Sequence, residues 1–403
     1  MPAPLEDVRV IESSNWVAAP SAGAILADLG ADVIKIEPLR GDAMRGMFRP
    51  ARAADGQSTI DTGFHVDNRG KRSIAIAVDR PEGAELVKRL ISGSNIFATN
   101  LLPERQARYG LDPETVFKVN PRVVHATMSG YGLVGPDASR PGFDVTAFFG
   151  RGSVIESMTD PHESAPYPRP GQGDHVAGLA FLSAILAALR LAERTGQGQV
   201  VDVNLFSAAT WTMATDVSAV LVDGRAPTKR DRHHAVSALA NRYRCADERW
   251  LFLNMPDAAW WTKFCAVAHV EDLIDDPRFS TPKERHDNMP ALVDIFDEIF
   301  ARRTLVEWAK ILDDAKLIWG PASSLTELAQ DPQAAAISLF PEIEFHEQLI
   351  RTVGAPLNIR DADVRPRGAG PNVGEHTVEI LTSLGLDRAE IDALANDGVV
   401  LVP

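Results

Sequence analysis

Apolar and polar positions in the first 130 residues alternate in two block lengths. Short, nearly continuous apolar runs stand at residues 8–11, 31–36, 73–78, 95–99 and 123–128. Runs of that length and continuity predict strands buried on both faces, as parallel strands are. Between them, residues 21–29 have helical composition closed by Gly30, Pro81-Glu82-Gly83 opens a helix through Ile91, and residues 113–119 form another. Helices between apolar strands predict a doubly wound α/β sheet, with ligands at the carboxyl ends of its strands. Small residues at Ala18, Ala19, Ser21, Ala22 and Gly23 would let a backbone or ligand approach the first turn closely.

Residues 129–174 then break the alternation. This passage is rich in glycine and proline, and so long an irregular stretch is more often functional than idle. A strongly apolar helix is predicted over 176–193, a strand over 200–203 and a helix over 206–222, ending at Asp223-Gly224. From 225 to 234 the chain turns basic and polar, which marks a domain boundary. The expected division is a first part of a large domain (1–225), a smaller α+β domain (226–325), and a C-terminal segment (326–403) returning to the large domain. Within that last segment a strand is predicted over 349–353 and a helix over 378–384. No internal repeat or low-complexity segment is evident.

The 403 residues are 24% charged and 45% hydrophobic, the balance of ordinary globular domains. There are 41 basic and 55 acidic residues, a formal net charge of −14. So acidic a chain repels phosphate backbones, which disfavours nucleic-acid binding by bulk charge but does not exclude a small anion held by a few local cations. Cys245 and Cys265, the two cysteines, lie in apolar or aromatic surroundings and read as buried free thiols of a reduced compartment. The N-terminus lacks the basic and apolar regions of a signal peptide, and the apolar run 176–189 is too short to span a bilayer. A soluble cytoplasmic protein, with no nucleic-acid or membrane partner, is expected.

Few residues invite chemistry. His233 and His234 are adjacent and diverge on any regular element, and His346-Glu347 lacks the second histidine of a zinc protease, so no metal site is expected. Ser129 follows a strand without the flanking glycines of a nucleophile elbow and reads as a turn residue. Neither a dinucleotide fingerprint nor a Walker loop is present. Asp174 remains, after Gly171-Gln172-Gly173 and before the apolar helix. Its position suits a helix N-cap. It equally suits a carboxylate nucleophile supported by the helix dipole, with small neighbours leaving space for a bulky activated ester. The residues alone leave both readings open.

The chain resembles the family III CoA-transferases, the group that includes formyl-CoA transferase and the alpha-methylacyl-CoA racemases. The resemblance is carried by residues 28–37 (DLGADVIKIE) with Gly41-Asp42, by 68–73 (NRGKRS), 108–111 (RYGL), 120–124 (NPRVV) and 129–132 (SGYG), by Gly173-Asp174, by 194–203 (RTGQGQVVDV), and by 374–377 (GEHT). In this order they span nearly the whole length. The resemblance implies a Rossmann-like large domain built from both chain ends, a smaller domain between them, and two subunits interlocked as a homodimer. It implies Asp174 as the nucleophile, forming an anhydride with the donor acyl group and then an aspartyl-CoA thioester, with no cofactor beyond coenzyme A as carrier. Coenzyme A is expected against Val17, Ala18, Ile76, Asn100, Leu101, Leu102, Arg108, Gly142, Phe143 and Asp144; Arg108 suits the nucleotide phosphates. Lys71, Arg72 and Arg40 are weaker phosphate candidates.

Three departures refine the expectation. Val17 stands where formyl-CoA transferase has a glutamine, and residues 235–240 (AVSALA) replace its glycine-rich flap, which argues against formyl-CoA and oxalate as substrates. Phe143 stands where the racemases carry a histidine base, and a phenyl ring exchanges no proton. His162 and His175 lie nearer to Asp174 in sequence but match no racemase motif. The expected activity is therefore transfer of CoA from an acyl-CoA to a carboxylic acid. The alternatives are a racemase or epimerase with a displaced base, and a catalytically silent CoA-binding protein. The aromatic group Trp260, Trp261 and Phe264 reads as small-domain core, with an acyl pocket as the other possibility.

Overall fold

A computed structural model of the chain describes residues 1–48, 50–52, 59–161, 163–255, 259–345 and 348–403; His162 and His346 lie outside the described residues. Seven strands form one sheet: β1 (Arg9–Ser13), β2 (Asp32–Glu37), β3 (Arg72–Ile76), β4 (Ile96–Thr99), β5 (Val124–Ser129), β6 (Gln199–Asn204) and β7 (Val400–Leu401). Their order is β7-β3-β2-β1-β4-β5-β6, with every pair parallel except β7, which runs antiparallel to β3. Strands β4 and β5 are buried along their whole length, which is why they read as unbroken apolar runs. The chain winds outward from β1 through β2 to β3, then returns to β4 on the other side of β1. That reversal opens a crevice beyond the carboxyl ends of β1 and β4, the place where α/β sheets bind ligands.

Both faces of the sheet are covered by helices. On one face α1 (Ala18–Asp28) is buried throughout and packs on the 24-residue helix α5 (Gln172–Thr195). The two approach closely because Gly178 carries no side chain: a Cβ there would stand 2.1 Å from Ser21 Oγ and 2.8 Å from the Ala18 carbonyl oxygen. On the other face α3 (Pro81–Ser92) packs with the helices Thr377–Ser383 and Arg388–Asn396. Two further helices position the crevice, α2 (Thr62–Asn68) and α4 (Pro103–Tyr109). Helix α5 is longer than the apolar run read from the sequence and passes for a membrane span by length and composition. Its stripe of Ala177, Phe181, Ile185 and Leu189 is nonetheless buried in the core of this unit, which makes it a core helix.

Elsewhere the local readings need revision. The expected helix 206–222 is two helices, Leu205–Thr212 and Ala214–Asp223, bent by 83°. Thr210 and Thr212 hydroxyls donate back to the carbonyls of Phe206 and Ala209, and that back-bonding bends helices. The strand expected at 349–353 is Gln348–Arg351, paired only with Glu342–Phe345 and standing apart from the main sheet. Residues 129–174 hold a π-helical segment, Val145–Arg151, and a short helix, Val154–Met158.

The chain divides into two compact units. One comprises Met1–Met158, Ala165–Gly224 and Gln333–Pro403, the other Thr159–Ser164 and Arg225–Pro332. The smaller unit has a three-stranded antiparallel sheet (Trp319–Pro321, Trp250–Leu253, Arg242–Arg244) and a core of stacked rings. Phe264 stacks on Phe296 at 4.8 Å and Tyr243 on Phe300 at 4.9 Å, while the Trp308 ring lies 4.8 Å from Phe300. Cys245 and Cys265 are both free and buried, and burial pushes their thiols up to about 11 and about 12, so neither is a nucleophile near neutral pH.

Candidate active site at the sheet crevice

Asp174 lies inside the first turn of α5, at its third residue. The expectation that the helix begins near 176, which left a capping role open, is thereby corrected. Gly171 stands at the N-cap with φ +92°, a left-handed conformation that suits glycine, and the helix follows at Gln172. Asp144 holds this entry in place: its Oδ2 accepts the Gly171 N–H at 2.7 Å and its Oδ1 the Val145 N–H at 2.7 Å. Gly173 lies against Phe148, where a Cβ would come within 2.7 Å of the ring.

The capping work being done by others, the Asp174 carboxyl is left over. Among the described residues it has no hydrogen-bond donor, although it sits at a helix N-terminus. Burial, the charge of Asp144 and that of Asp67 push its pKa up to about 7, against the opposing pull of His175. The next residue is anchored differently. His175 Nε2 lies 2.9 Å from Asp67 Oδ1 on α2, and that hydrogen bond raises the imidazole pKa. A carboxylate stripped of donors and partly of water is a better nucleophile than one in solution.

A cavity of about 170 Å³ opens beside Asp174, walled by Trp16, Ala18, Asn100, Leu102, Met128, Gly142, Phe143 and Leu205. Trp16 has φ +71°, uncommon for so bulky a residue. Its N–H donates to Asp42 Oδ1 at 3.1 Å, and its ring meets Phe143 edge-on at 5.1 Å. Asn15 and Asn100 clasp the ends of β1 and β4: the Asn15 N–H donates to Asn100 Oδ1 at 3.2 Å and Asn100 Nδ2 to the Asn15 carbonyl at 2.7 Å. Asn15 also borders a larger cavity of about 620 Å³ along the ends of β1, β2, β3 and β4. Ile76, Leu101 and Tyr109 supply its apolar wall, and Arg40, Arg80 and Arg105 its cations.

Of the positions implied by the resemblance, the structure gathers Ala18, Asn100, Leu102, Gly142 and Phe143 around Asp174, and Ile76 and Leu101 in the neighbouring cavity. Three stand apart. Val17 packs with Met44 and Phe64, and Asp144 supports the helix entry rather than lining a cavity. Arg108 is exposed and borders neither cavity, because α4 turns Arg105 and Tyr109, one helical turn apart, toward the crevice. Trp16, Arg80, Arg105 and the Asp67–His175 pair were not singled out from the sequence. Ser129 ends β5, and its hydroxyl accepts the Gly132 N–H at 3.0 Å, the turn role expected of it.

Lys71 and Arg72 are also placed by their partners. Lys71 is wholly buried, its ammonium 2.7 Å from Glu12 Oε2 and 3.0 Å from Asn68 Oδ1, and burial holds its pKa down to about 8. Lys35, likewise buried, lies 3.3 Å from Glu12 Oε1 and 2.8 Å from Asp42 Oδ2. Burial opposes its charge, and Glu12, Asp42 and Glu37 outweigh burial to keep it protonated. Arg72 forks onto Asp32 at 2.7 Å and reaches Glu379 at 2.8 Å. Lys35 and Lys71 are thus held by carboxylates near the end of β1, while Arg72 pairs at the amino ends of β2 and β3, away from the crevice. Among the described residues one cluster, His233, Asp294 and Asp297, brings three ligand-type atoms within 4.8 Å. Arg232 already forks onto Asp297, so the cluster reads as an ion-pair network.

Known proteins resemble the chain in fold and in sequence. The structure superposes on a CaiB/BaiF family protein from Brucella suis with a TM-score of 0.86 at 28% identity, covering 95% of this chain and all of the other. In sequence the chain is 34% identical over 401 residues to (R)-2-hydroxy-4-methylpentanoate CoA-transferase of Clostridioides difficile, covering 98% of this chain and 99% of that protein. It is 30% identical to cinnamoyl-CoA:phenyllactate CoA-transferase of Clostridium sporogenes, covering 98% and 97%. The model of CoA-transferase family III matches residues 5–377, and the chain belongs to that family.

Proposed function

We propose that this enzyme moves CoA from an acyl-CoA to a free carboxylic acid through covalent intermediates on Asp174. An Asp174 oxygen attacks the thioester carbonyl, the C–S bond breaks, and CoA leaves as the thiolate, giving a mixed anhydride. The thiolate attacks the Asp174 acyl carbon and expels the donor acid, leaving an aspartyl-CoA thioester. The acceptor carboxylate attacks that carbon and releases the thiolate. The thiolate then takes the acceptor acyl group and frees Asp174. Each step exchanges activated acyl groups, so no bond is broken without one of similar energy forming. The observation that carries this reading is the carboxyl of Asp174, without a donor among the described residues, at a helix N-terminus and lining an apolar cavity that shares Asn15 with a cation-lined one.

The same geometry supports a substrate class. Trp16, Leu102, Met128, Phe143 and Leu205 wall the Asp174 cavity, and no lysine or arginine is among its lining residues. A second carboxylate would enter it unpaired, so an acid with an apolar body fits better than a dicarboxylate. Relatives named for (R)-2-hydroxy-4-methylpentanoate and phenyllactate agree with this, while a succinate–glutarate CoA-transferase of Agrobacterium fabrum, 31% identical, does not. Phe143 disfavours racemisation, since it offers no base opposite Asp174. Two copies interlocked as a homodimer account for the helix Ala214–Asp223, which buries none of its own residues and leaves Leu221 and Val222 more than four-fifths exposed. The test is incubation with an acyl-CoA, hydroxylamine or borohydride trapping, and peptide mass measurement. An adduct on Asp174 is expected. Proton exchange at the α-carbon without an adduct would overturn transfer in favour of racemisation, and CoA binding with neither would leave a silent binding protein.

A further inference from the structure

The smaller unit holds a cavity of about 270 Å³ whose lining comes entirely from its own residues. Its floor is apolar: Ala238, Leu239, Met255, Met289 and Leu292 are all buried. Four polar side chains break that lining: Ser237, whose hydroxyl accepts the Leu239 N–H at 3.1 Å, the exposed His286, Trp261 and Arg285. Trp261 is 5% exposed and its Nε1–H has no hydrogen-bond partner, an expensive state for a buried donor. Arg285 lies over the same indole, Cζ 4.6 Å from the ring centroid, and is oriented by donating one Nη1–H to the Phe279 carbonyl at 2.8 Å. Among the described residues no carboxylate pairs with it. The neighbouring Glu284 is engaged instead in the capping of its own helix, by Thr281 and Ser280. Among the described residues the cavity thus offers a cation without a carboxylate partner and an unpaired donor above an apolar floor.

We propose that this cavity binds a small monocarboxylate with an aromatic or branched apolar body, its carboxylate on Arg285 and the Trp261 N–H. One guanidinium and one neutral donor match a single negative charge; a phosphate dianion would want further cations. The volume takes one ring or a short branched chain, since an apolar cavity of about 150 Å³ already admits benzene. This site shares no residue with the Asp174 cavity, and the inference does not rest on the covalent mechanism.

The probe is 4-fluorophenylacetate, followed by ¹⁹F NMR on the full-length chain without CoA, with uncharged 4-fluorotoluene alongside. Saturable binding of the acid is expected, unchanged in Asp174→Asn. Arg285→Gln should weaken it at least tenfold while Arg285→Lys retains most of it, and Trp261→Phe should weaken it severalfold. Thermal melts of each variant exclude unfolding as the cause. Absence of saturable binding up to 10 mM, on the order of the weakest useful affinity, would overturn the proposal. So would fluorotoluene binding as tightly as the acid. Binding tightened in Asp174→Asn and kept in Arg285→Gln would overturn it too, placing the acid in the other cavity.

Discussion

Replacing Asp174 by asparagine should stabilise the folded chain above neutral pH and leave it unchanged in acid. The carboxyl is held at about 7 in the native state against an ordinary 3.8, with burial the largest cause and the charges of Asp144 and Asp67 adding to it. The unfolded chain therefore gives up this proton at lower pH than the folded one. Below about pH 4 both states are protonated and Asp174 costs nothing. Between 4 and 7 the native state binds more protons, so stability falls as pH rises, and above 7 the cost is constant. At about 1.4 kcal/mol per pKa unit the bound on that cost is about 4 kcal/mol. Water reaching the partly exposed carboxyl reduces it to on the order of 2 kcal/mol. Asparagine keeps the shape and lacks the charge. Its melting temperature should exceed that of the native chain by about 2–4 °C at pH 8, with the two curves meeting near pH 4. Scanning fluorimetry across pH 4–8 measures both. An asparagine variant that melts at or below the native chain at pH 8 would refute the electrostatic account of this site. Equal gains at pH 4 and pH 8 would refute it as well.

Three other substitutions test the frame around the site. Arg105→Ala should raise KM for an acyl-CoA about tenfold, and Arg108→Ala should change it less than twofold, because only Arg105 borders the larger cavity; steady-state kinetics at fixed salt separates them. Glu12→Gln leaves Lys35 and Lys71 buried with one shared counter-ion removed, and should cost about 3–5 kcal/mol in urea unfolding. Gly178→Ala places a methyl against Ser21 Oγ and the Ala18 carbonyl, and should cost about 1–3 kcal/mol. Combining it with Ser21→Gly should recover part of that loss, since the hydroxyl leaves and the carbonyl stays.

The sheet was legible in the sequence because its strands are buried on both faces, so β4 and β5 read as apolar runs without any knowledge of their neighbours. Strand β7 was not: two residues, Val400 and Leu401, carry no periodicity, and only their pairing to β3 makes them a strand. The start of α5 was hidden for a related reason. Gly171-Gln172-Gly173 has the propensity of a loop, and a bond from Asp144, 27 residues earlier, closes it into a helix entry. Lys71, a weak phosphate candidate in the sequence, is instead wholly buried in an ion pair, which is rare for a lysine. Its counter-ion Glu12 lies 59 residues away, beyond any local pattern. Arg105 and Arg108 differ only in helical phase on a seven-residue helix, and a sequence places such boundaries no better than the two residues that would exchange their faces.

The distribution of charge in the crevice carries an argument about order. Lys35 and Lys71 are committed to Glu12 and Asp42, and the cations lining a cavity at the crevice are Arg40, Arg80 and Arg105, all in the larger one. The cavity around Asp174 has none. An acceptor carboxylate entering it beside ionised Asp174 meets a like charge, a repulsion of about 4 kcal/mol at 4 Å and an effective dielectric of 20. On the proposed covalent route Asp174 becomes a CoA thioester, its charge is gone and that barrier falls. The cavity would therefore admit the acid after the thioester forms and resist it before, the sequence that exchange through a covalent intermediate requires. Protonation imitates acylation. Inhibition of the free enzyme by acceptor acid should tighten severalfold, up to about tenfold, from pH 8 to pH 6, across the Asp174 pKa of about 7, while the acid itself stays ionised. An inhibition constant that does not move over that range would show that the charge on Asp174 does not control entry.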